Sequence, residues 1–229
     1  MEETPPLEID VISDVMCPWC FIGKRRLERA MELAPDQQLE VRWRPFQLDA
    51  TIPPEGMDRQ TYLDRKFGRD QAREIYASIE AAGAAEGISF AFDLITKSPN
   101  TLDAHRLIRW SANSGHQNDA VERLFTLFFV EGEDIGSKDV LRDVAREIGM
   151  DDNIAGQLLD SDADTELVEK EIALAHRMGV QGVPAFIIAN RYIVMGAQTP
   201  ELLAEAFNRA AEEALTAPSA DGPQGGEGA

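Results

Sequence analysis

Cysteine is scarce in this chain, two residues in 229. That excludes a disulfide-dense secreted scaffold, and the length is ample to bury a core without one. Histidine is scarce too: His105, His116 and His176 are the only three, and they are scattered. Lysine and arginine together number 22 against 41 acidic residues, for a net charge of −19. A chain this acidic repels phosphate backbones and anionic lipid surfaces, so neither nucleic acid nor a membrane is an expected partner. No apolar run approaches the roughly 20 residues that span a bilayer. The acidic start, Met1-Glu-Glu-Thr-Pro-Pro, has no basic segment followed by a hydrophobic one, so no secretory signal is read there. The expected setting is the cytoplasm. There is no internal repeat.

What is present has a clear order. Leu7 to Ser13 is a β-rich run with apolar residues at 7, 9 and 11. Cys17 to Leu33 has the spacing of a helix, and Leu39 to Phe46 alternates Leu39, Val41 and Trp43 against charged residues, as a half-buried strand does. Two strands joined by such a helix are expected to be parallel. The other β-rich region is late: Val183 to Ala189, a turn at Asn190-Arg191, then Tyr192 to Met195. Thr199 and Pro200 open a final helix to about Ala214. The long stretch between Phe46 and Val183 is mostly helical in period. Val121, Leu124, Phe125, Phe128 and Phe129 form one apolar stripe, read as core, and Ser137 is an N-cap candidate for the helix holding Leu141 and Val144.

Both cysteines lie in Cys17-Pro18-Trp19-Cys20, after a strand and at the start of a helix, the context in which a CxxC reads as redox-active. A thiolate, not a thiol, attacks a disulfide. Unpaired N–H groups and the positive end of the dipole favour negative charge at a helix start. Cys17 is therefore expected to be exposed and readily ionised, with Cys20 one turn further in and more buried. Pro18 suits the first helical position, and Trp19 supplies an apolar lid. Cys17 would attack a partner's disulfide and Cys20 would release the resulting mixed disulfide. A zinc half-site and a pair of inert thiols are the alternatives. Zinc wants about four ligands, and no second CxxC exists; no metal is expected.

Val183-Pro184 heads an internal strand, where a proline costs a ladder hydrogen bond. A cis bond there would turn the Val183 backbone toward Cys17 for pairing with an extended substrate; a trans proline opening a strand is the plain alternative. Asp14 reads either as a cap for the helix or as a proton acceptor for the thiols. Lys24, Arg25 and Arg26 are either a solvated face or a local positive field that keeps Cys17 ionised.

These motifs carry a resemblance. The Cys-Pro-Trp-Cys helix and the late Gly-Val-Pro strand resemble the thioredoxin superfamily, and the helical stretch between them resembles its DsbA-like branch. SDVMCPWCFIGKRRLERA, SPNTLDAHRLIRW and GVQGVPAFII are similar to the FrnE-like thiol–disulfide oxidoreductases. The resemblance implies an α/β thioredoxin fold with a large inserted α-helical domain. Residues 7–48 and 165–215 would form the thioredoxin-like domain, 49–164 the insertion and 216–229 a disordered tail. It implies Cys17 as nucleophile, Cys20 as resolving thiol and a cis Pro184. The expected substrates are disulfide-bearing proteins or small disulfides. No bound cofactor is expected beyond the dithiol itself, with glutathione as a candidate recycling thiol. The same branch includes glutathione-dependent kappa-class transferases and 2-hydroxychromene-2-carboxylate isomerases, where a serine usually replaces the first cysteine. Asn100 and Thr101 match a segment that faces the active site there, so they are candidates to bind peptide or glutathione, or else cap the helix behind them. His105, on the same helix, either orients the site, accepts a proton or simply packs.

Overall fold

The computed structural model describes residues 6–68 and 71–216. The residues before Pro6 lie outside the described residues, as does the tail expected to be disordered except for Thr216, which ends the last helix.

The β-branched run Leu7–Ser13 forms β1, the helix that follows is α1 (Pro18–Leu33), and the alternating segment is β2 (Leu39–Pro45). β1 and β2 are parallel, with Leu7 opposite Leu39 and Ser13 opposite Pro45. After a long helical stretch the chain returns as β5 (Ala185–Ile188), antiparallel to β1, and β6 (Tyr192–Met195), antiparallel to β5. The sheet order is β2-β1-β5-β6, so the strand that feeds Cys17 runs through the sheet interior. The turn between β5 and β6 falls one residue earlier than the sequence suggests. Ala189 and Asn190 take φ of 51° and 54°, the left-handed pair that a tight hairpin turn requires. The final helix, α9 (Pro200–Thr216), packs against α1.

Between β2 and β5 come β3 (Met57–Asp58), α2 (Arg59–Phe67), α3 (Gln71–Ala85), β4 (Lys97–Ser98), α4 (Leu102–Ala112), α5 (Gln117–Thr126), α6 (Lys138–Glu147), α7 (Asp152–Leu159) and α8 (Thr165–Arg177). β3 and β4 pair as a small antiparallel ribbon at the root of the α2–α3 arm. The Phe stripe does not stay in one α-helix. α5 widens into a π-turn over Leu127–Glu131 before Gly132 stops it in a left-handed conformation, and this extra width keeps both Phe128 and Phe129 buried. Ser137 occupies the N-cap of α6 without a side-chain capping bond.

Three contacts fix α1. Phe21 stacks on Phe125 with centroids 5.0 Å apart and reaches Phe129 and Phe90, so an aromatic seam joins the helix to the insertion. Lys24 is almost fully buried, paired with Glu28 and, at 2.8 Å, with Glu122, which Arg25 also holds at 2.5 Å. Arg26 and Arg29 both bind Glu86 at 2.8 Å. The cationic run is therefore neither a solvated face nor a free positive field. Its charges are spent on acids of the insertion. The third contact is steric: a Cβ on Gly23 would sit 2.8 Å from Pro184 Cγ, so the helix meets the late strand through a bare backbone.

Two predictions follow from this clamp. Gly23→Val should cost about 1–3 kcal/mol by overpacking against Pro184, read as a lower urea midpoint; an unchanged midpoint would contradict the contact. Glu86 and Glu122 are each pushed up by burial but pulled further down by their arginine and lysine partners, so both titrate below the ordinary carboxylate range. A depressed folded pKa gives stability that is present above the unfolded value and lost as pH falls through the folded one. Wild-type stability should thus drop over the range below the ordinary glutamate value of about 4.3. A Glu86→Gln, Glu122→Gln double variant should start lower at neutral pH and lose less over the same window.

Candidate active site

Beyond Ser13 the chain reverses through Asp14–Met16 into α1. The Cys17 N–H donates to the Asp14 carbonyl at 2.9 Å, and the Cys17 carbonyl accepts from Cys20 N–H at 3.0 Å. Cys17 is thus the N-cap residue, with Pro18 at the first helical position. No acidic residue lies in the first turn, so the positive helix end is left uncompensated by its own sequence. Asp14 is fully buried. Its Oδ2 accepts the Leu48 N–H at 2.7 Å and its Oδ1 the Met16 N–H at 3.4 Å, so it braces the reversal and the segment after β2.

Both thiols are free. Burial, then the neighbouring Cys17 sulfur, pushes the Cys20 thiol well above an ordinary cysteine; the Ser13 hydroxyl and the Asp14 N–H oppose this only in part. The Cys17 thiol faces the Val183 carbonyl at 3.7 Å, across 166 residues of chain, and the Val183–Pro184 bond is cis. Pro184 is buried, Val183 half-buried, and Trp19 stands out at 36% exposure.

Cys17 itself corrects the sequence reading. It was expected to be exposed, and only 4% of its surface is accessible. The Val183 carbonyl, brought in from 166 residues further along the chain, stands over its sulfur. Lys66 and Tyr76 lie close enough for the Cys17 charge to raise the pKa of each. Lys66 Nζ donates to Tyr62 Oη at 2.7 Å, and Arg59 Nη2 to Tyr76 Oη at 2.5 Å. Burial lowers the Lys66 ammonium below the usual lysine value, against the pull of Cys17 and Asp14. Among the described residues, no carboxylate lies within 4 Å of Lys66 Nζ or of the buried Arg59 guanidinium. Lys66 thus senses the sulfur, with Asp14 and Asp49 acting on it too, whereas Lys24, Arg25 and Arg26 are paired with carboxylates.

The other candidates are internally engaged. Asn100 Oδ1 accepts from Leu102 N–H at 3.0 Å and Gln47 Nε2 at 3.1 Å, while its Nδ2 donates to Ile52 O at 2.7 Å. Asn100 thus caps α4 and ties down residues 47–52. Thr101 is buried and makes no side-chain capping bond. His105 is also buried. Its Nε2 lies 2.8 Å from the Phe46 carbonyl and 3.4 Å from Asp14 Oδ1. A carbonyl only accepts, so the proton sits on Nε2 and Nδ1 is the ring's acceptor. Among the described residues no group of His, Cys, Asp and Glu is arranged to hold a metal ion, and no helix is long and apolar enough to cross a membrane.

Comparison with known proteins agrees with this architecture. Residues 8–208 match the DSBA-like thioredoxin domain, and the chain belongs to that family. It is 26% identical over 205 residues to the uncharacterized protein YwbO of Bacillus subtilis (strain 168), covering 88% of this chain and 96% of that one. Among solved structures it is similar to the probable DsbA oxidoreductase SCO1869 of Streptomyces coelicolor, with a TM-score of 0.83 and 27% identity over 90% of this chain and 91% of that one. A 2-hydroxychromene-2-carboxylate isomerase shares the fold, with a TM-score of 0.68 at 18% identity over 91% of this chain and 98% of that one.

The thiols should differ in reactivity. With a small alkylating agent at neutral pH, Cys17 should be modified at least about tenfold faster than Cys20, since each unit of raised pKa removes tenfold of the thiolate. Mass spectrometry of timed samples reads the order, and equal rates in the folded protein would contradict the site's asymmetry.

Proposed function

We propose that this chain is a thiol–disulfide oxidoreductase or isomerase of the FrnE-like branch, with Cys17 as nucleophile and Cys20 as resolving thiol. The observation that carries the reading is the pair of free, adjacent thiols at an uncompensated helix start, with Val183 O facing Cys17. Membership of the DSBA-like family supports it. In the reaction, the Cys17 thiolate attacks one sulfur of a substrate disulfide and expels the other as a thiolate, which takes up a proton. Cys20 then gives up its proton, attacks Cys17 and releases the second substrate thiol. The substrate disulfide gains two electrons, and the pair becomes a disulfide. The helix end and Lys66 stabilise the Cys17 anion.

No bound cofactor takes part. An external thiol such as glutathione returns the electrons. In a reducing cytoplasm, the setting proposed here, the pair rests as the dithiol, which favours reduction and isomerisation over net oxidation. Because Cys17 is 4% exposed, small disulfides reach it before protein disulfides do. Asn100 adds little to a glutathione-dependent transferase or isomerase reading, since its side chain is already bonded within the fold.

Insulin reduction driven by dithiothreitol tests the assignment. Cys17→Ser should reduce the rate to the thiol background, and Cys20→Ser should accumulate mixed disulfides visible by mass spectrometry. A Cys17→Ser protein with wild-type activity would overturn the proposal.

A further inference from the structure

The resolving step needs a base for a thiol that is fully buried and raised well above an ordinary cysteine. The front of the site cannot supply one during that step, because the substrate occupies it. Among the described residues, Ser13 Oγ and Trp43 Nε1 are buried without a hydrogen-bond partner. Buried polar groups without partners are rare and cost about 1–3 kcal/mol each. Both residues line one small cavity together with His105. It offers about 10 Å³ to the centre of a water molecule, room for one. The same Trp43, Arg44, His105 and Ile108 also line a larger cavity of about 210 Å³ that reaches exposed Asn113. The two are consecutive chambers behind the sheet edge.

We infer that this is a proton outlet for Cys20, in which Ser13 Oγ and one cavity water pass the thiol proton to His105 and the outer cavity passes it to solvent. The inference rests on the dithiol reading of the site. Ser13 is close enough to Cys20 for its hydroxyl to favour the thiolate. A water in the inner chamber accepts from Ser13 Oγ and from Trp43 Nε1, and donates to the His105 ring. His105 Nδ1 is the free acceptor, since Nε2 is committed to Phe46 O, and buried Asp14 at 3.4 Å stabilises the imidazolium that forms. The charged groups around the path are few: Cys17 beside Cys20, Asp14 beside His105, Arg44 bound to Asp10 at 2.7 Å, and, at the mouth, Arg109 with Asp164 and Glu171. The step balances. The Cys20 S–H bond breaks, its proton moves to His105 and on to solvent, the new Cys20 thiolate forms the S–S bond to Cys17, and the substrate leaves as a thiolate that solvent protonates. Ser13 and His105 are positioning residues for Cys20 and touch no substrate.

The reduced protein reacting with an excess of dithiobisnitrobenzoate separates the steps by colour. The first nitrothiobenzoate reports Cys17 attack, the second Cys20 resolution, at reagent concentrations that complete the first phase first. Ser13→Ala should slow the second phase about 10- to 100-fold, the lower end of what a positioned base contributes, with the first phase as internal control. The wild-type second phase should show a normal solvent deuterium isotope effect that the variant lacks, and Ser13→Thr should restore both. His105→Gln, whose amide still donates to Phe46 O but cannot take the proton, should slow the second phase as well and flatten its pH profile; it decides the matter if Ser13→Ala does not fold. A folded variant that keeps the wild-type second phase and its isotope effect overturns the outlet. A wild-type protein that releases only one nitrothiobenzoate overturns instead the assignment of Cys20 as resolving thiol.

Discussion

The structure turns on where the first helix begins. β1 is an interior strand, and at Ser13 it hands the chain to a reversal that starts α1 within a few residues. Everything that makes the two thiols unequal follows from holding that helix end still. Phe21 is stacked on Phe125, Gly23 lies bare against Pro184, and Lys24 and Arg25 are bound to Glu122. These clamps come from the insertion and from the late strand, so neither half of the chain positions Cys17 alone. A displacement of α1 by one side-chain radius would separate the sulfur from Val183 O, now 3.7 Å away.

Much of this was legible in the sequence, for identifiable reasons. β1, α1 and β2 carry local patterns, alternation and a proline just inside a helix start, that fix their type without tertiary help. The cysteine pair and Val183-Pro184 are short motifs whose meaning depends on flanking elements, and those elements were readable. What could not be read is what packs on what. The burial of Cys17 depends on tertiary contacts such as that with Val183 O, 166 residues away, which no local pattern announces. The cations at residues 24–26 look solvated until Glu86, Glu122 and Glu28 are placed beside them. The π-turn after Thr126 is invisible to a periodicity count, because the stripe it continues is the same stripe.

The electrostatics follow the same division. A chain of net charge −19 needs a reason to leave cations unpaired near its centre. Most of its arginines are tied to acids, several linking elements distant in sequence, as Arg26 and Arg29 do with Glu86. Lys66 and Arg59 are the departure. Arg59 is buried and Lys66 exposed; each bonds a tyrosine hydroxyl, and among the described residues neither has a carboxylate within 4 Å. Burying an unpaired cation costs stability unless an anion arrives to offset it. Lys66 feels the negative charge of Cys17, Asp14 and Asp49 together, and the buried Arg59 guanidinium is held by Tyr76 Oη and Ser98 Oγ.

Access separates the two thiols further: Cys17, 4% exposed, faces the Val183 carbonyl, while Cys20 is fully buried, and burial above all raises its pKa. On the dithiol reading proposed here, a thiol buried this deeply exchanges its proton by a path independent of the substrate side, and Ser13 and Trp43, which line a small chamber with His105, supply it. Attack from the front and proton exit at the back is the division of labour that this β1–α1 junction permits.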